Sequence, residues 1–314
     1  MAQKDLATKT LESYNDVFAD ILNVILFDGN QTVLSEELTP AEKDSQFKAD
    51  GQIHGQERDT AKFWKNANIN IAFVGIENQV AVDDHMPMRI FSYDGAEYKK
   101  QYDLQKNGKL KQCYPVITLV IYFGSENWKH DKNLCSCFDV PEELSEFVND
   151  YKMNFYSVKD FTDAEIKKFT SDFQVIAEFF NALLNKKDYK PTNKRLDHPS
   201  EVIDMISVFS GDDRFRDEYN SMTKKGDVNM CEIYDKIQQE GIEKGIEKGI
   251  EKGIKKGIEK GRAEEKIIGI GKAIRMLKNV GATVEMMISN LMSEYDMSED
   301  EATERVNYEL AQMN

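Results

Sequence analysis

The sequence predicts an α/β fold: a mixed sheet flanked by helices, followed by a helical extension and a helical tail. Three observations carry this. Amphipathic and β-branched segments alternate up to Phe123 in the order helix, strand, strand, helix, strand; Val116–Phe123 is an unbroken apolar run; and helical signals dominate from residue 141 onward, including a four-residue repeat.

Leu11, Tyr14, Val17, Phe18, Ile21, Leu22 and Ile25 recur at three- and four-residue intervals, which predicts a helix from Leu11 to Phe27, broken by Asp28-Gly29-Asn30. Residues 31–57 are polar and patchy, punctuated by Pro40, and read as loop with one short helix at most. Thr60–Trp64 and the β-branched Ile69–Ile76 read as strands joined through the Asn-rich turn 65–68, so Glu77, Asn78 and Gln79 fall at a strand end. Met86 to Asn107 is helical after Pro87, and Val116–Phe123, closed by Gly124, is a strand buried on both faces. Pro141-Glu-Glu-Leu opens a further helix, Thr162-Asp-Ala-Glu165 is a capping box, and Val175–Leu184 is an apolar helical face, with Pro191 and Pro199 marking breaks.

From Glu240 the chain changes character. Gly-Ile-Glu-Lys repeats with minor change, placing Ile at 242, 246, 250, 254 and 258. Four residues at about 100° each overshoot a turn by about 40°, so the Ile stripe drifts around the helix and does not form a heptad seam. The repeat reads as a helical connector or self-association stem, or as a flexible linker, since each interior Gly costs about 1 kcal/mol against Ala. Lys266–Leu277 and Thr283–Met292 are amphipathic, and Ser298-Glu-Asp-Glu301 caps a last helix. These boundaries divide the chain into a core (1–140), a helical extension packed on it (141–235), the repeat connector (236–262) and a small helical tail (263–314).

The chain has 314 residues, and 41 Lys+Arg against 56 Asp+Glu give a net charge of −15, which argues against a simple basic nucleic-acid coat protein. No apolar run approaches the ~20 residues of a membrane-spanning helix. Met1–Thr10 lacks the apolar stretch of a signal peptide, so a cytoplasmic location is expected. Cys113, Cys135, Cys137 and Cys231 lack zinc-site spacing, and the four histidines are scattered.

Hairpin pairing brings Asp59, just before one strand, toward Glu77 at the end of the next, and alternation puts Gln79 on the Glu77 face. Two acids and a polar side chain at strand ends make an oxygen site suited to Mg²⁺, or they are surface acids on a turn. Arg89, near the start of a helix, reads as a contact to phosphate, a partner of Glu77, or an arginine on the sheet edge. Lys99, Lys100, Lys106, Lys109 and Lys111 form a basic stretch, either a surface for DNA backbone phosphates or a solvated face. Trp64 and Trp128 read as core or sheet-edge aromatics.

Five motifs in order over about residues 10–180 carry a resemblance: Tyr14-Asn-Asp-Val-Phe-Ala-Asp20, Glu57-Arg-Asp59, Val74-Gly-Ile-Glu77-Asn-Gln79, Met86-Pro-Met-Arg-Ile-Phe-Ser-Tyr93, and Pro115 through Gly124 with Trp128 following. The pattern resembles the Rpn family of recombination-promoting nucleases, also labelled YhgA-like transposases, which is similar to PD-(D/E)xK nucleases with their α-β-β-β-α-β core. The resemblance implies a Mg²⁺-dependent DNA endonuclease of the cytoplasm, associated with recombination or mobile elements. It implies that Asp59 and Glu77 are metal ligands, that Gln79 stands where Lys is usual, and that Asp16 matches an acid of the family's first helix. Arg58 replaces the usual Pro, and Gln79 lacks the positive charge of Lys, although the family often has Gln there. The alternative class is a decayed nuclease fold serving as a scaffold that self-associates through residues 240–314, making the chain a homo-oligomer in solution. A DNA-reading helix-turn-helix in the tail finds little support, because Glu and Asp dominate residues 294–304.

Overall fold

The computed structural model describes residues 7, 9–42, 44–49, 52–66, 69–222 and 228–313, and for 44–49 and 52–57 it describes the backbone. Ala67 and Asn68 of the expected turn, most of Met1–Thr10, and the side chains of His54 and Glu57 lie outside the described residues. The chain divides into two compact units, Met1–Ile237 and Gln238–Asn314.

In the first unit a helical turn at residues 9–12 leads into α1 (Asn15–Phe27), so the expected single helix is interrupted at Ser13 and Tyr14. Residues 31–57, expected as loop with one short helix at most, hold a short 3₁₀ segment (Ser35–Glu37) but also supply β1 (Leu38–Pro40) and a hairpin of β2 (Asp44–Ala49) and β3 (Gln52–Glu57). Their polar sequences lack the alternation that marks a half-buried strand, so periodicity did not register them. β4 (Thr60–Asn66) and β5 (Ile69–Gln79) pair antiparallel, α2 (Met86–Lys106) crosses over, and β6 (Val116–Tyr122) returns parallel to β5. β7 (Asn154–Ser157), which the sequence did not reveal, adds parallel to β6. The result is a mixed five-stranded sheet in the order β1-β4-β5-β6-β7.

Strand alternation sorts the two faces. Ala72, Val74, Ile76, Leu119 and Ile121 join α1 in the main core, together with α4 (Phe173–Leu184) and α5 (Pro199–Ser210). On the other face Val120 packs with Met86, Ile90 and Tyr93 of α2, and Phe73 with Val116. Residues 142–147, expected as α-helix, form a short 3₁₀ segment, whereas Thr162 caps the short helix α3 (Asp163–Ile166) as its capping box requires. A further helix, α6 (Arg214–Ser221), precedes the long α7 (Met230–Asn279), which carries the repeat.

In the second unit the last part of α7 packs with α8 (Val284–Tyr295) and α9 (Glu299–Ala311) around Ile270, Ile274, Met287, Leu291, Ala302 and Val306. No helix among the described residues is long and apolar enough to cross a membrane.

One buried charge network ties the α2 face together. Arg58, 2% exposed, donates from Nη2 to Asp94 Oδ1 at 3.0 Å and lies over the rings of Phe73 and Tyr93 at 4.9 and 5.2 Å. Asp94 also accepts from Thr118 Oγ1 and Tyr151 Oη, each at 2.5 Å, so one carboxylate joins the β3–β4 corner, α2, β6 and the segment before β7. Gly75 makes the room: a Cβ there would stand 2.8 Å from Arg58 Cδ. Removing one partner of a buried ion pair strands the other's charge, at a cost of about 3–5 kcal/mol. Asp94→Ala is expected to lose that much stability in urea unfolding; a loss under ~1 kcal/mol would show that the network does not hold the face together.

Candidate active site

β4 and β5 deliver the two acids to one corner of the sheet. Thr60 stands opposite Ile76, so Asp59 emerges from β4 level with Glu77 of β5. Asp59 and the Glu77-Asn78 segment clamp each other: Asp59 N–H donates to Glu77 Oε1 at 3.3 Å, and Asn78 N–H donates to Asp59 Oδ2 at 2.7 Å. Glu77 is fully buried and faces α2, where Arg89 Nη2 meets its Oε2 at 2.8 Å. Of the readings open for Arg89, the structure shows the Glu77 partner. Gln79 lies two residues on, on the Glu77 face, and its carbonyl accepts from Phe123 N–H at 2.7 Å.

Two residues at this corner were missed by sequence reasoning. Glu12, 2% exposed, comes in from the opposite face of the sheet and accepts from Asn78 Nδ2 at 2.8 Å, while its Oε1 is buried with no hydrogen-bond partner. Lys9, one turn earlier, pairs with Asp59 Oδ1 at 3.1 Å. The Lys9–Glu12 segment is anchored by Lys62, which is buried and donates to Ser13 O and Asn15 Oδ1, each at 2.6 Å. A lysine inside a strand, aimed at the preceding helical segment, was the available signal.

Asp16 is placed elsewhere. Its carboxylate meets His198 Nε2 at 2.9 Å, and the His198 ring stacks on Tyr14 at 3.7 Å between centroids. The acid that the N-terminal helical segment sends toward Asn78 is Glu12, because the break at Ser13–Tyr14 turns Asp16 away from it. The basic stretch also stands apart. Lys99 pairs with Asp103 and Lys100 with Glu42, while Lys106, Lys109 and Lys111 are exposed near the far end of α2. At about 1.5 Å per residue, Lys106 sits roughly 25 Å along the helix from Arg89.

The electrostatics record crowded carboxylates. Burial, with added repulsion from Asp59 and Glu77 and partial relief from Asn78, pushes Glu12 up to about 8. Burial and the Asp59 charge likewise push Glu77 up to about 7, against the pull of Arg89. An all-oxygen donor set suits a hard divalent cation, and Mg²⁺ is commonly bound by one or two carboxylates with water and phosphate completing its shell. Among the described residues no three His, Cys, Asp or Glu side chains are grouped to hold a metal by themselves. Asp59 and Glu77 are the pair that could hold such an ion, with Lys9 and Arg89 as their present counter-charges.

A carboxyl group raised by burial stabilises the fold while protonated. The Glu12 contribution is full below its ordinary 4.5 and is lost as pH rises toward 8. Glu12→Gln keeps an acceptor for Asn78 and removes the charge. Its unfolding free energy is expected to exceed the parent's by about 1–3 kcal/mol above pH 8, with a flatter profile between pH 5 and 8. Identical pH profiles for the two proteins would contradict the placement of Glu12 among the acids.

Residues 61–199 match the family model described as "Putative transposase, YhgA-like". The match covers β4, β5, α2, β6 and β7, and with them Glu77, Gln79 and Arg89, and begins two residues after Asp59. No curated protein and no solved structure matches the chain.

Proposed function

We propose, from the YhgA-like transposase family of residues 61–199, that the chain is a Mg²⁺-dependent DNA endonuclease whose ligands are Asp59 and Glu77. The observation that carries the reading is the reciprocal clamp, which fixes two carboxylates side by side at the open end of β5. A transposase description makes DNA the partner class, and hydrolysis of a phosphodiester is the chemistry two adjacent carboxylates serve with Mg²⁺.

Asp59 and Glu77 would hold the ion, which supplies a Lewis acid for a phosphate oxygen and a more acidic water. The remaining work falls to the chain's own residues. Arg89 is 37% exposed on its side chain and Lys9 26%, so both guanidinium and ammonium can turn from their carboxylates to the oxygens of a bound phosphate. Lys9 thereby supplies the cation that Gln79 does not. The Gln79 amide, on the Glu77 face, can orient water by donating and accepting hydrogen bonds. Net charge opposes DNA binding over most of the surface, which concentrates it at such cationic positions.

Plasmid nicking tests the reading. The parent is expected to cut with Mg²⁺ and not with EDTA, and Glu77→Ala to lose at least a hundredfold in rate. Equal cutting by Glu77→Ala, or no cutting by folded parent protein, would overturn it.

A second reading, self-association as a scaffold, is favoured by the repeat. It forms a helix in which Ile242, Ile246, Ile250, Ile254 and Ile258 are each more than half exposed. Gly245, Gly249, Gly253, Gly257 and Gly261 have open space where a Cβ would stand, and together cost the helix about 5 kcal/mol against Ala. A second copy of the chain is the partner that fits, since every repeat but Gly253-Ile-Lys-Lys256 presents Glu beside Lys, a pattern complementary to itself. Light scattering should then give a mass above the 36.1 kDa of one chain, falling to that value in full-length Ile246→Glu/Ile254→Glu. One chain mass in both proteins would remove this reading.

A further inference from the structure

The carboxyl ends of β5, β6 and β7 lie at one edge of the sheet, where ligands of open α/β sheets gather. Glu77, Val120 and Phe155 stand level across the three strands, as do Gln79, Tyr122 and Ser157 one step on. Residues in register on parallel strands share a face, so Glu77, Gln79, Phe155 and Ser157 all look toward the α2 side. At about 4.8 Å per strand, the β7 column stands roughly 10 Å from Glu77 and about 14 Å from the β4 column that follows Asp59.

A cavity of 260 Å³ opens there, lined by Asn127, Trp128, Lys132, Phe155, Ser157 and Lys159. That volume is roughly nine waters at about 30 Å³ each, ample for a phosphate group. Its wall is rich in donors. Lys159 Nζ holds the loop by donating to Ser125 O at 3.3 Å and Asn127 Oδ1 at 3.0 Å, which leaves one of its three hydrogens. Lys132 Nζ lies 4.5 Å above the Phe155 ring. The indole Nε1 of Trp128 is buried with no hydrogen-bond partner, although indole N–H can only donate. The ring itself is fixed by Tyr122 and Phe155, at 5.4 and 4.8 Å between centroids. A buried orphan donor in a cavity wall shared with two lysines calls for an acceptor, and the lysines favour an anionic one. Exposed Glu126 and Asp160 also border the cavity and balance the lysines in formal charge, so selection rests on directed donors and not on net field.

We propose that this cavity is a phosphate subsite for the DNA strand held at Asp59 and Glu77, with Lys132, Lys159 and Trp128 Nε1 donating to one phosphate of that strand. The inference rests on the endonuclease reading for its ligand, and its test is separate. Binding is measured on the full chain in EDTA, where nothing is cut, with a fluorescently labelled single-stranded oligodeoxynucleotide and, in a second arm, inorganic phosphate.

Lys132→Ala/Lys159→Ala is expected to weaken oligonucleotide binding about tenfold. It should also reduce the slope of log affinity against log salt by about one, a change that a structural role alone would not produce. Lys132→Arg should retain binding, and Glu126→Gln should tighten it. The oligonucleotide should shift the tryptophan emission of the parent but not of Trp128→Phe, in which only Trp64 reports. Unchanged affinity and salt slope in the double variant, or emission from Trp128 that does not respond, would overturn the subsite. The same emission change with inorganic phosphate at equal concentration would overturn the strand as its source. A protein that binds as described but never nicks DNA sinks the endonuclease reading alone; one that nicks with Trp128 unmoved sinks the subsite alone.

Discussion

A guanidinium buried between two aromatic rings and a carboxylate is the constraint on which the rest of the first unit depends. Arg58 has no access to water, so its charge must be met by Asp94, and Asp94 in turn gathers Thr118 and Tyr151. The pair therefore sets where α2 lies against the sheet. It also sets the backbone at residue 58, and the next residue is Asp59. Arg89 sits on the same helix as Asp94, five residues earlier, and reaches Glu77 from there. One ion pair thus positions a proposed ligand on one side and the partner of the other ligand across from it. A buried Arg with a glycine beneath it fixes the corner before Asp59 by charge.

The site itself works against the stability of the fold. Glu12, Asp59 and Glu77 converge where water is scarce, and the first and last hold protons far above the usual carboxylate range. Lys9 and Arg89 offset part of this repulsion. A divalent cation at Asp59 and Glu77 would offset more, releasing both basic side chains toward a phosphate. The crowding is thus an electrostatic reason for the corner to favour a cation and an anionic substrate together, despite a surface whose net charge is −15.

Much of the fold was legible because burial leaves periodic traces. The apolar run of β6, the alternation of β5 and the Thr162 capping box each encode their element locally. What escaped lacks such traces: β2 and β3 are polar, and β7 is a four-residue strand whose place is set by its pairing with β6. The placement of Asp59 beside Glu77 was legible from hairpin geometry. Glu12 was not, because its role depends on a break at Ser13–Tyr14 that Lys62 enforces from another strand. Without that break the helical period runs on through Leu11 to Phe27 and presents Asp16 as the first-helix acid, whereas Asp16 is the partner of His198. Arg58 was visible only as a departure from a motif, and its meaning came from Asp94, distant in sequence.

The central claim is that Asp59 and Glu77 form a divalent-cation site beside a switchable arginine. Anomalous scattering from crystals of the full chain soaked in Mn²⁺ tests it most directly. The account predicts one strong peak at the Asp59 and Glu77 carboxylates, with Arg89 displaced from Glu77. Crystals that show no peak there, with the Arg89–Glu77 ion pair intact, would contradict it.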